Sequence, residues 1–94
     1  MRFTWDLKKA ATNLKDHRIS FAEAVTAFND RSALYEPDKD YPERGSMIAY
    51  SSESRMLFVV YLEREDSDLL RLISARKTTK QERKRYEENL KSLL

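Results

Sequence analysis

The sequence predicts an α+β fold in which a small antiparallel sheet packs against two N-terminal helices and a C-terminal helix. Three observations predict it. Apolar residues recur at helical spacing near both ends of the chain, strand-length apolar segments fill the middle, and the connections between those segments are short enough to make consecutive strands antiparallel neighbours.

Phe3 and Trp5 flank Thr4 in a short opening strand, and Asp6 is placed to cap the helix that follows. Leu7, Ala10, Ala11 and Leu14 stand at i, i+3, i+4 and i+7, one apolar stripe of a helix ending near His17. Ser20 and Glu23 have capping-box spacing, and Phe21, Ala24, Val25 and Phe28 repeat the stripe in a second helix ending near Asn29 or Asp30. Between Asp30 and Arg44 the chain is polar, and Pro37 and Pro42 break any helix. An exposed acidic loop is expected there, with a short strand over residues 33–36. Residues 47–51 alternate weakly, Ser52, Glu53 and Ser54 turn, and the continuous apolar run 56–62 reads as the central strand, buried on both faces. Residues 63–68 form a second charged turn. Beyond it Leu69, Ile73 and Ala75 alternate with Leu70, Leu72 and Ser74. Thr79 and Glu82 then open a helix that carries Tyr86, Leu90, Leu93 and Leu94 on one face. The expected order is β-α-α-β-β-β-β-α.

Ninety-four residues allow one domain, 1–94, with a single core. The absence of cysteine excludes disulfides, a thiolate nucleophile and zinc thiolate sites, and makes the cytoplasm the natural compartment. The N-terminus lacks the long apolar run of a signal peptide, and no stretch approaches a membrane span. The net charge of +2 hides an uneven distribution: +3 over residues 1–18, −6 over 19–70 and +5 over 71–94. If the basic ends fold side by side they form a positive surface for an RNA backbone; otherwise the charges simply intersperse.

No phosphate-binding glycine loop, dinucleotide fingerprint or nucleophile elbow is present, and one Gly could hardly support any of them. One His and no Cys argue against a transition-metal site. Magnesium binding by Asp38, Asp40 and Glu43 competes with the plainer reading of an acidic loop. No cofactor is expected. The corner Arg76, Lys77, Thr78, Thr79 gathers cations, hydroxyls and helix N-terminal amides where a phosphate can sit. Along an unbroken strand, however, Arg71 and Lys77 share one face and Arg76 takes the other, so ordinary solvated charge is the competing reading.

What remains is chemistry that runs on charge and proton transfer. RNA cleavage needs a base near the 2′-hydroxyl, an acid for the leaving 5′-oxygen and cations around the phosphate. His17, Glu43 and Tyr86, with the cluster Lys8, Arg44, Arg71, Arg76 and Lys77, supply those groups; Lys8, Lys9, Trp5 and Lys80 are candidates for RNA contact. Each has a structural alternative: His17 as a helix C-terminal cap, Trp5 and Tyr50 as core aromatics.

The segments W-D-L-K-K-A-A-T-N-L-K-D-H-R-I-S-F-A-E-A at 5–24, E-R at 43–44, L-F-V-V-Y at 57–61 and R-L-I-S-A-R-K-T-T-K-Q-E-R-K-R-Y-E at 71–87 resemble the BrnT family of bacterial toxins. The resemblance covers nearly the whole chain in order. It implies a RelE-like fold and a ribonuclease toxin of a type II toxin-antitoxin pair. It further implies inhibition by a BrnA-type antitoxin that supplies operator DNA binding, and an assembly larger than a 1:1 pair. Trp5, Asp6, His17, Glu43, Arg44, Arg76, Glu82 and Tyr86 occupy pattern positions. Arg18 stands where a Gly commonly follows the His, Ala49 and Ser54 replace glycines around the hairpin, and residues 38–42 lack a His. The expected function is metal-independent endoribonuclease action by 2′-hydroxyl attack, with Arg76→Ala or Arg44→Ala lowering cleavage at nearly unchanged melting temperature. The alternative, raised by the missing loop His, is a catalytically weak or inactive homologue that serves as an interaction module in an autoregulatory antitoxin repressor complex. A stand-alone DNA-binding domain is disfavoured because no helix-turn-helix spacing is evident.

Overall fold

A computed structural model describes residues 1–63 and 68–94. In chain order it contains β1 (Arg2–Thr4), α1 (Leu7–His17), α2 (Phe21–Ala27), β2 (Leu34–Pro37), β3 (Arg44–Tyr50), β4 (Met56–Glu63), β5 (Leu69–Lys77) and α3 (Lys80–Ser92), the order expected from sequence. The charged turn expected over residues 63–68 lies, except for its two ends, outside the described residues. The strands form one sheet in the order β1-β5-β4-β3-β2, with β4 central.

The sheet is mixed. Strands β2 to β5 are joined in sequence and pair antiparallel, but β1 pairs parallel with β5, Phe3 lying opposite Leu70. The all-antiparallel expectation fails at β1 because no hairpin ties it to its neighbour. Its partner is the last strand, reached only after two helices and the rest of the sheet, and so long a connection permits either direction.

Capping follows the sequence closely. The Asp6 carboxylate accepts from the amides of Lys8 at 2.7 Å and Lys9 at 3.2 Å, contacts that lower its pKa. Thr79 and Glu82 form a complete capping box at the start of α3. The box expected at α2 is half made: Ser20 Oγ accepts from the Glu23 amide at 3.0 Å, but the Glu23 carboxylate turns instead to Arg55 and to the Ser51 hydroxyl, which donates at 2.7 Å. Glu23 is 6% exposed, and the Arg55 guanidinium holds its carboxyl well below the usual carboxylate range.

One face of the sheet carries α1 and α2. Met47, Ala49, Leu57, Val59, Tyr61, Leu70, Leu72 and Ala75 meet Ile19, Phe21, Ala24 and Ala27 there. On the other face α3 covers a smaller cluster of Ile48, Met56 and Tyr86, with Leu34, Phe58 and Leu90 packed against it. The lone glycine, Gly45, lies opposite Tyr61, whose ring carbon would stand 2.8 Å from an added Cβ. Only a residue without a side chain admits the tyrosine ring.

Two helical stripes are buried less than their spacing predicts. In α1 the buried side is Asn13 with half-buried Ala10, whereas Leu7 and Leu14 are exposed. The Asn13 amide donates to the carbonyls of Ile19 and Ala75, both at 2.8 Å, and accepts from the Ala75 amide at 3.0 Å. It thereby occupies the outer edge of β5 beyond the end of β1. In α3, Tyr86 and Leu90 pack inward, but Leu93 and Leu94 project into solvent at the chain end.

Candidate functional site

A single extra residue decides which charges share the open side of the sheet. Val60 pairs with Ser74 and Tyr61 with Leu72, so Ile73 is a bulge in β5. The bulge reverses the alternation midway, and Leu70, Leu72 and Ala75 all enter the core under α1 and α2. Arg71 and Arg76 consequently face the same way, towards the α3 side. Strict alternation placed them on opposite faces; the bulge corrects that expectation.

Register arranges the α3 side in rows. Arg44 lies opposite Leu62, and Leu62 opposite Arg71, with Thr4 beyond. Ser46, Val60 and Ser74 make the next row, and Ile48, Phe58 and Arg76 the third. Only the third passes beneath α3, so the first two remain open. Arg44 and Arg71 stand two strands apart, about 10 Å between Cα atoms at ordinary strand spacing. Arg44, Ser46, Phe58 and Val60 line a cleft of about 640 Å³, closed on one side by Glu36, Asp38 and Asp40 and on another by Arg85. Among the described residues Arg44 Nε is buried without a hydrogen-bond partner, and the guanidinium carbon lies 5.1 Å from the Tyr41 ring centre. Glu43 precedes Arg44 on an exposed turn.

The other sequence-derived residues are distributed more widely. Arg76 belongs to the third row, but both its terminal nitrogens donate to the Glu82 carboxylate at 2.9 Å, and its guanidinium carbon sits 4.4 Å from the Phe58 ring centre. It clamps the first turn of α3 to the sheet. The expectation that its removal leaves stability untouched is therefore corrected, since Glu82 would keep a nearly buried carboxylate without its cation. Tyr86 is 4% exposed, its hydroxyl donates to Asp30 at 2.7 Å, and its ring meets Tyr50 edge-on at 5.5 Å. Burial and the Asp30 carboxylate push its hydroxyl pKa far up. This places Tyr86 in the core rather than at a site of proton transfer. Trp5 is likewise half-buried, edge-on to Phe21 at 5.9 Å, so it supports the core instead of offering a stacking platform.

His17, Lys8 and Lys9 line a different groove of about 420 Å³ between α1 and the outer edge of β5, together with Ile73 and Ser74. Ser74 belongs to the second row of the open face, so the groove reaches the bulge from the side. Lys77 points away from both, into a hollow with Arg55, Thr78 and Arg83, and Lys80 is exposed on the first turn of α3. The acidic loop is ordered by its own backbone: Asp38 accepts from the amides of Asp40 at 2.8 Å and Tyr41 at 3.1 Å. Among the described residues no three His, Asp or Glu side chains are grouped to hold a metal ion, and no helix is long and apolar enough to cross a membrane.

Sequence reasoning missed Arg85, which holds Glu36 through two hydrogen bonds of 3.2 and 3.0 Å at the cleft wall. Its neighbour Tyr86 was legible as the inward residue of α3. The facing position of Glu36 on β2 was not, because it depends on strand register.

Residues 5–82 match the family model described as "Ribonuclease toxin, BrnT, of type II toxin-antitoxin system". Comparison with curated proteins gives no match. Among solved structures, the ribonuclease toxin BrnT of Brucella abortus is similar, with a TM-score of 0.68 and 26% sequence identity over 85% of this chain and 99% of that one.

Proposed function

The chain belongs to the BrnT family of type II toxin-antitoxin ribonuclease toxins, and from that premise we propose that it cleaves RNA on the open half of the α3-side sheet face, without a metal ion. The observation that carries this reading is the first row, in which Arg44 and Arg71 flank Leu62 at a spacing that lets both guanidinium groups converge on one phosphodiester. The two Arg side chains neutralise charge as the 2′-oxygen bonds to phosphorus and the bond to the 5′-oxygen breaks. The 2′-hydroxyl proton passes to a base, and the 5′-oxygen takes a proton from an acid. Glu43, beside Arg44 in the chain, and His17, approaching from the edge groove with Lys8 and Lys9, are the groups assigned to these transfers. The products are a 2′,3′-cyclic phosphate and a 5′-hydroxyl. Arg76 shapes this face by fixing α3, and Lys80 offers a further phosphate contact along the RNA.

The fold is read as RelE-like, formed by one domain over 1–94. Its antitoxin is read as BrnA-type, covering the toxin in an assembly larger than a 1:1 pair and carrying all operator DNA contact. A second reading is favoured by one observation: Tyr86 is bonded to Asp30 and Arg76 to Glu82, leaving few groups beside the cleft to move protons. On that reading the chain is a catalytically inactive partner of its antitoxin within a repressor complex.

The deciding experiment incubates the purified chain with a defined RNA in excess EDTA, beside Arg44→Ala and Arg71→Ala proteins. Cyclic or 3′-phosphate ends are expected, with cleavage lowered about 100-fold in each variant, the range seen on removing one transition-state donor. Intact RNA from a folded wild-type protein that still binds antitoxin establishes the second reading.

A further inference from the structure

The largest unexplained feature lies on the far side of the molecule from the cleft. Leu7, Ala11 and Leu14 stand at i, i+4 and i+7 on α1 and form one strip along the helix, roughly 10 Å from end to end. Leu7 is 81% exposed and Leu14 50%, and Ala11 is exposed between them. Single exposed leucines need no explanation, whereas an aligned strip on one helix is the pattern of a surface awaiting a partner. The corresponding residues of α3, Tyr86 and Leu90, are packed against the sheet. In α1 it is Asn13 that faces inward.

The strip has a basic border. Lys8 and Lys15 run beside it seven residues apart, and Arg18 closes its C-terminal end. None of the three takes part in an ion pair among the described residues. Asp6, the nearest carboxylate in sequence, is bound to the amides of Lys8 and Lys9. Asp16 lines the edge groove, into which Lys8 also reaches, and takes part in no ion pair among the described residues.

We propose that this strip seats an acidic amphipathic helix of the antitoxin, with apolar anchors at helical spacing on Leu7, Ala11 and Leu14 and Asp or Glu side chains along Lys8, Lys15 and Arg18. The inference rests on the chain being the toxin of a pair and adds the surface and the chemistry of the partner segment. Helix-on-helix docking of this kind needs matched apolar ridges, and the charged borders then fix orientation and speed encounter. An antiparallel contact with a second copy of this chain fits poorly, because it would press lysine rows together.

The test titrates the purified chain with purified cognate antitoxin. Leu7→Glu/Leu14→Glu is expected to weaken binding roughly 100-fold, as expected when central anchors are lost, while melting temperature and RNA cleavage stay at wild-type values. Lys15→Glu should weaken binding less and flatten its salt dependence. Unchanged antitoxin affinity in the double variant overturns the proposal. So does a wild-type dimer that the double variant dissolves, or binding to phosphatidylserine vesicles that it abolishes while antitoxin affinity stays unchanged. A wild-type chain that cleaves RNA but ignores antitoxin defeats this inference alone. One that binds antitoxin through the strip yet leaves RNA intact defeats only the nuclease reading.

Discussion

The two faces of the sheet are built from the same strands and differ in almost everything else. The face under α1 and α2 is closed: every strand residue it takes from the middle of β3, β4 and β5 is buried and apolar. The face on the α3 side is apolar along β4, at Phe58, Val60 and Leu62, and its first two rows end in Arg44, Arg71, Ser46 and Ser74, of which Arg44 and Ser46 line the open cleft. The difference teaches where each kind of energy resides. Hydrophobic burial that holds the fold is concentrated on one side, which leaves the other free to keep charged groups at a cost the core can offset. Both faces depend on the bulge at Ile73, since it alone lets β5 supply core residues on either side of it while sending both its arginines outward.

Deleting Ile73 should break that division most severely. Without the extra residue one half of β5 must turn over, driving either Arg71 or Arg76 and Ser74 into the core, so the cooperative thermal transition is expected to vanish from circular dichroism melts. Phe21→Ala should damage the closed face alone. The ring is almost fully buried, and its loss is expected to cost about 3–5 kcal/mol in urea unfolding, with RNA cleavage per folded molecule preserved.

The Glu23–Arg55 pair adds a pH dependence to the closed side. Its carboxyl is depressed below the ordinary value of 4.5, so its contribution is fully present above that pH and is lost as pH falls through the lower folded-state value. Melting temperature should therefore decline below about pH 4.5 in the wild type and more gently in Glu23→Gln. That variant should itself be less stable at neutral pH, because the Arg55 guanidinium loses its buried carboxylate partner. The smallest effect is expected at the hairpin. Ser54 has φ 62°, a left-handed conformation that costs a non-glycine residue about 1–2 kcal/mol. Glycine loses more chain entropy on folding, so Ser54→Gly should raise stability by only about 0.5 kcal/mol, and cleavage should not change.

The element order was legible because periodicity, capping spacing and the two prolines all report local conformation. The glycine pattern was informative even where the glycines are missing: Arg18, with φ 60°, and Ser54 both hold left-handed backbone at positions where the family resemblance implies Gly. What could not be read was anything set by pairing across the sheet. Nothing in R-L-I-S-A-R marks Ile73 as a bulge, so Arg71 and Arg76 were assigned to opposite faces. Nothing near Arg76 announced Glu82 as its partner beyond their six-residue separation. Tyr86 and Trp5 carried groups suited to catalysis or stacking, and tertiary packing drew both towards the core. The α1 stripe was legible as amphipathic, but spacing does not say whether its apolar side meets the sheet or the solvent.

Asn13 has a consequence for how the protein behaves in bulk. Strand β1 shields only residues 69–71 of the outer edge of β5, and a bare edge beyond them would be a template for the strand of another molecule. By bonding both backbone groups of Ala75, one amide side chain stands in for the missing strand. Release of α1 would bare that edge of β5 to pairing with another molecule.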